Sequence, residues 1–167
     1  MPDGDLRPPH KRLVVCCDGT WNEPEEAAED PADKAEPTNV LKVLRGVAPV
    51  DAAGVVQVAY YHQGVGTAGG LDKVLGGGPG LSTDVQEAYR FIANNHADGD
   101  HLYLFGFSRG AYTARSLAGF IGAVGLLEKP HLAWLPEAYK LYRTPPDRRP
   151  GSPWASALAK LDPTPRQ

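Results

Sequence analysis

Three short apolar runs, each followed by residues at helical spacing, organise this chain of 167 residues. Leu13 to Cys17 is continuously apolar and ends in Asp18-Gly19-Thr20-Trp21-Asn22, the pattern of a buried strand opening into a turn. Glu23 to Glu36 is acidic and proline-bearing, which predicts a surface loop. Thr38 then stands where a helix cap is needed, and Val40, Leu41, Val43, Leu44 and Val47 share one face of a helix running to about Gly46. Val55 to Tyr61 is rich in β-branched and aromatic residues and predicts a second strand, followed by a long mobile loop over the glycine-rich segment from Gly64 to Gly80. Thr83-x-x-Gln86 has the form of a capping box, with Val85, Ala88, Tyr89 and Ile92 as the buried stripe of a helix ending near Asn95. Tyr103, Leu104 and Phe105 predict the third strand; Ala111, Ala114, Leu117, Ala118, Ile121 and Val124 continue at helical spacing. Pro136 opens a last helix carrying Leu135, Ala138, Tyr139 and Tyr142, and beyond Thr144 six prolines erase the periodicity.

Strands that alternate with helices predict a parallel sheet, because a parallel return needs a crossover and the helix supplies it while covering a face. The expected organisation is one α/β core over residues 11–143, a polar tail over 1–10 and a proline-rich irregular tail over 144–167. Folding a chain of this length removes roughly 70% of its surface from water, enough for a real core. Three strands make a small sheet with open edges, so an incomplete sheet is expected, completed by a missing C-terminal half or by self-association. The net charge of −3 comes from interspersed acids and bases, and no basic run marks a nucleic-acid partner. Cys16 and Cys17 are adjacent in a strand, point to opposite faces, and read as reduced and structural. No apolar stretch reaches the roughly 20 residues of a membrane span, and no Sec-type signal is seen. A cytoplasmic site of synthesis, with export by a signal-less route left open, is the matching expectation.

The chemistry concentrates at Gly106-x-Ser108-x-Gly110, set between the third strand and a long small-residue helix, the context a nucleophile elbow requires. A serine at so tight a turn has strained backbone angles, and glycines two residues either side let the neighbouring chain pass. A serine hydroxyl also needs an imidazole to take its proton and backbone amides to hold the alkoxide that forms. The Arg109 amide, at the start of the following helix, is the natural first donor. Gly19 or Thr20, leaving the carboxyl end of the first strand, is the second, unless Asp18-Gly19-Thr20 is only an Asx-type turn. His62 ends the second strand on the same edge, where it either touches substrate or makes a satisfied hydrogen bond. Only His131 follows Ser108, with Glu128 the sole acid between them, a poor match to the order nucleophile, acid, histidine; His10, His96 and His101 read as surface residues. Arg115 is expected in a structural ion pair.

Rival signals are weaker. Gly64-x-Gly66-x-x-Gly69 matches a dinucleotide fingerprint formally, but no helix opens directly after it and no acid closes a following strand. Gly76 to Gly80 lacks the Gly-Lys-Ser/Thr ending of a phosphate loop, and Cys16 stands where a dehalogenase-like phosphatase would carry its aspartate. No cofactor and no metal site is expected.

Taken together, Lys11 to Asn22, Pro37-Thr-Asn-Val40, Tyr60 to Thr67 and Gly106-Phe-Ser-Arg-Gly-Ala-Tyr-Thr-Ala-Arg115 resemble the α/β-hydrolase-like family that includes type VI secretion phospholipase effectors. The resemblance runs from about Lys11 to Arg143. It implies a three-layer α/β-hydrolase-like sheet, Ser108 as nucleophile with the Asp18-Gly19-Thr20 loop beside it, and hydrolysis of phospholipids or related acyl esters. In such proteins the catalytic aspartate and histidine lie well downstream of the elbow, and no positions here match them. The resemblance therefore implies a serine esterase that is weak or inactive as this chain alone. The alternatives are an inactive lipid- or protein-binding module and, lower in order, a nucleotide-binding domain.

Overall fold

The structure, a computed structural model, describes residues 10–20, 36–64 and 79–145. Three strands form one parallel sheet: β1 (Arg12–Thr20) lies between β2 (Gln57–Gly64) and β3 (His101–Gly106). Arg12 lies opposite Gln57 and His101, and Cys17 opposite His62 and Gly106. The helices are α1 (Asn39–Gly46), α2 (Pro79–Asn95), α3 (Arg109–Val124) and α4 (Leu135–Arg143), with a 3₁₀ helix over Lys129–Trp134 ahead of α4.

The strand order decides the layers. The chain steps from β1 outward to β2, then back across β1 to β3, and right-handed crossovers in opposite directions place their helices on opposite faces. Period-two alternation then splits β1. Leu13, Val15 and Cys17 pack with Val85, Tyr89 and Ile92 of α2, Leu117 and Phe120 of α3, and Leu135 of α4. Val14 and Cys16 pack on the other face with Val40, Val43 and Leu44 of α1 and Tyr61 of β2. The main core is closed by aromatic contacts, Tyr89 on Phe120 with ring centroids 4.5 Å apart and Phe120 edge-on to Tyr139 at 5.3 Å. The Tyr89 hydroxyl accepts from the Leu127 amide at 2.8 Å and donates to the Gly125 carbonyl at 3.0 Å, fixing the chain where α3 ends. This is the expected α/β architecture, with an open sheet among the described residues, as in an incomplete α/β-hydrolase-like domain.

Element ends depart from the periodicity where tertiary contacts intervene. β1 runs on to Thr20 instead of turning at Asp18, through an irregularity that sets Asp18 and Gly19 against the single Gln63 of β2. β2 starts at Gln57, later than expected, because Asp51 gathers the amides of Ala53 and Val55 (2.8 and 2.9 Å) into a turn and Val56 bridges back to Val50. α2 opens at Pro79, whose missing N–H costs nothing in a first turn. Thr83 is thus inside the helix and the expected capping box does not form; the Gln86 amide instead donates to the Ser82 carbonyl at 3.1 Å. The 3₁₀ helix has no periodic signature. The acidic loop from Glu23, the glycine-rich run with its Gly64-x-Gly66-x-x-Gly69 pattern, and both tails fall, apart from their ends, outside the described residues.

Candidate active site

The elbow is built by the backbone. Past the end of β3 the Phe107 amide still donates to the Cys17 carbonyl (3.1 Å), and the chain then reverses so that the Gly110 amide reaches the Phe107 carbonyl at 2.9 Å. Ser108 sits at the apex with φ 52° and ψ −122°, the one non-glycine residue with positive φ among those described, and its side chain is exposed. The flanking glycines answer to close approach. A side chain on Gly106 would lie 2.5 Å from the Gly110 carbonyl, and one on Gly110 would collide with the Cys17 carbonyl and lie 2.7 Å from that of Asp18. Only hydrogen at both positions lets α3 seat directly on the end of β1. Arg109 is the first residue of α3, so its amide belongs to the positive end of the helix dipole beside the Ser108 hydroxyl.

Asp18 lies at the carboxyl end of β1, 2% exposed. Its Oδ1 accepts from the Gly19 amide at 2.8 Å, and its Oδ2 accepts from the hydroxyls of Thr38 (2.6 Å) and Tyr61 (3.0 Å). Thr38 is also the cap of α1, accepting from the Leu41 amide at 3.1 Å. Burial, with the bond to Asp18 next in weight, pushes the Tyr61 phenol up, so it stays a proton donor over the working pH range. The Gly19 amide is therefore taken up by Asp18, whereas Thr20, the other expected second donor, ends β1 opposite Gly64 of β2.

His62, at the end of β2, is held by acids of α2: its Nε2 lies 3.4 Å from Asp84 and 3.7 Å from Glu87. Asp84 is 5% exposed; burial raises its pKa, opposed by the charges of His62 and Arg109. Asp84 thus couples electrostatically both to the second strand and to the residue that follows Ser108. β1 separates β2 from β3, so His62 and the elbow start two strand spacings apart, about 10 Å. His131 lies in the 3₁₀ helix beyond the far end of α3, whose 16 residues extend about 24 Å from the elbow. His10 and His101 stack with centroids 6.2 Å apart at the amino edge of the sheet, and His96 follows α2 there. Arg115 is exposed and makes no ion pair among the described residues, contrary to the expectation for it. Cys16 and Cys17 are free and buried, and burial pushes their thiols up to about 11 and about 12.

The tie of Thr38 and Tyr61 to Asp18, and the pairing of Asp84 with His62, have no signal in the sequence. The residues are visible there, but nothing in their spacing says that β2 and α1 converge on Asp18. Phe107 and Tyr112 flank Ser108 with half or more of their surface exposed, an apolar rim beside the hydroxyl. Among the described residues no three His, Cys, Asp or Glu side chains are grouped to hold a metal, and no helix is long and apolar enough to cross a membrane.

Comparison with known proteins places the chain in a family. Residues 11–162 match the family described as type VI secretion system phospholipase effector Tle1-like, catalytic domain. The chain is also similar to the uncharacterized protein YEL023C of Saccharomyces cerevisiae, 32% identical over 148 residues that cover 79% of this chain and 20% of the relative. It thus spans about a fifth of the length of that curated relative. No solved structure matches it.

Proposed function

The chain belongs to the Tle1-like phospholipase effector catalytic domain family, and from that premise we propose that it is a serine ester hydrolase acting on phospholipid or related acyl esters. The observation that carries the reading is Ser108, exposed at φ 52° on the first turn of α3 between two glycines that nothing larger could replace. In this reading the Ser108 hydroxyl attacks the ester carbonyl, and the amides of Arg109 and Thr20 receive the developing oxyanion. In this reading Asp18 supports the site through its bond from the Gly19 amide, and His62 through its contacts with Asp84 and Glu87. The exposed rings of Phe107 and Tyr112 offer the acyl chain an apolar surface.

The working unit is residues 11–143. No residue of this chain is assigned as the triad acid or histidine. Without a base the loss in kcat is about 10⁶-fold, as in a serine protease stripped of its histidine. A lipid- or protein-binding module without turnover is the second reading, favoured by the engagement of His62 with Asp84 and Glu87.

Imidazole in solution can stand in for the absent base, which makes the reading testable on these 167 residues. Phospholipid mixed micelles are assayed with increasing imidazole, following acyl and headgroup release separately. Imidazole-dependent acyl release that disappears in Ser108→Ala is expected. Headgroup release, or acyl release equal in Ser108→Ala, overturns the assignment, and micelle binding with no turnover selects the binding module.

A further inference from the structure

Resting on that reading of the site, we infer that Asp18 is the positioning residue of the oxyanion hole, acting through the Gly19 amide on the backbone that leads to Thr20. A carboxylate 2% exposed is tolerable only when its oxygens are satisfied, and donors from at least three places in the fold reach it among the described residues. Gly19 donates from β1 itself, Thr38 from the start of α1, and Tyr61 from β2. Bonds to an ionised acceptor are about twice as strong as neutral ones, so the cluster is stiff.

Its placement gives that stiffness a use. Thr38 is held twice, by Asp18 and by the Leu41 amide, so the end of β1 and the beginning of α1 are tied together although Asp18 and Thr38 stand 20 residues apart along the chain. On its other side the Asp18 carbonyl faces Gly110 at a distance that admits no side chain. The same residue therefore touches the elbow with its backbone and sets the direction of the following amides with its side chain. By capturing Gly19, the carboxylate takes that amide out of the set that could face the alkoxide and fixes the backbone on either side of it. An oxyanion donor out of place loses most of its effect, since the field it supplies must be aligned before the charge appears.

Two replacements separate this role from a merely structural one. Asp18→Asn still offers one oxygen to the Gly19 amide, whereas Asp18→Ala offers none. In the 167-residue chain, amide hydrogen exchange by NMR is expected to show the Gly19 amide protected in wild type and Asp18→Asn, and rapidly exchanging in Asp18→Ala. In the imidazole-supported ester assay, Asp18→Ala is expected to lower kcat about 100-fold with KM within about threefold, and Asp18→Asn to recover most of it. Thr38→Val and Tyr61→Phe, each removing a single donor, serve if Asp18→Ala does not fold, with a fall in kcat and unchanged KM expected. The inference is overturned if kcat per folded molecule is unchanged in Asp18→Ala, or if Gly19 exchange is the same in all forms, or if Asp18→Asn is as impaired as Asp18→Ala. Ser108→Ala runs alongside: turnover that survives it defeats the nucleophile assignment, whatever Asp18 does.

Discussion

Ser108 holds its backbone where a side chain costs about 1–3 kcal/mol, and a loop free to relax would not keep it there. Gly110 on the end of β1 and the bond from the Phe107 amide to the Cys17 carbonyl hold the bend shut. Ser108→Gly removes the penalty, and each 1 kcal/mol is worth roughly 2–4 °C in a chain of this size, so the thermal midpoint should rise by several degrees. A midpoint unchanged or lowered would mean that the bend is not strained. This part of the site is legible in the sequence, because glycine, serine and glycine at alternate positions between a strand and a helix are what so cramped a bend demands. The Asp18 cluster is not: Thr38 and Tyr61 lie 20 and 43 residues from Asp18, and only the fold brings their hydroxyls to one oxygen.

At the scale of the elements, periodicity locates every described helix and strand except the 3₁₀ helix, while their ends follow local chemistry that periodicity does not report. Asp51 delays β2 by collecting amides, and Pro79 advances α2 by a turn. The junction after α3 is where side-chain chemistry governs an element end most directly, since the Tyr89 hydroxyl satisfies both the Gly125 carbonyl and the Leu127 amide. Tyr89→Phe keeps the packing on Phe120 and leaves those two groups without the hydroxyl, a loss of about 1–3 kcal/mol by chemical denaturation. A change within error would show that water replaces the hydroxyl there.

Across the whole molecule, alternation of strands and helices announces the parallel sheet, but it is the order β2-β1-β3 that sends α1 to one face and α2, α3 and α4 to the other. The amino edge of that sheet is clamped by the ion pairs of Lys11 with Asp100 and of Arg12 with Asp51. Burial pushes Asp100 up, but bonds from the Lys11 side chain and from the Ala97 and Lys11 amides outweigh it and leave its pKa below the usual value. A carboxylate depressed in the folded state stabilises above its unfolded pKa, about 3.9, and that contribution is lost as pH falls through the folded value. Asp100→Asn should therefore flatten the acid limb of a thermal-midpoint profile between about pH 5 and pH 2; an unaltered limb would place the acid sensitivity elsewhere. The central claim, that Ser108 is a nucleophile faced by waiting amides, is tested most directly by treating the chain with a fluorophosphonate in the presence of imidazole and mapping the adduct by peptide mass spectrometry. One phosphonyl group on Ser108, absent in Ser108→Ala, is the predicted result; an unmodified Ser108 beside labelling at another residue would contradict it.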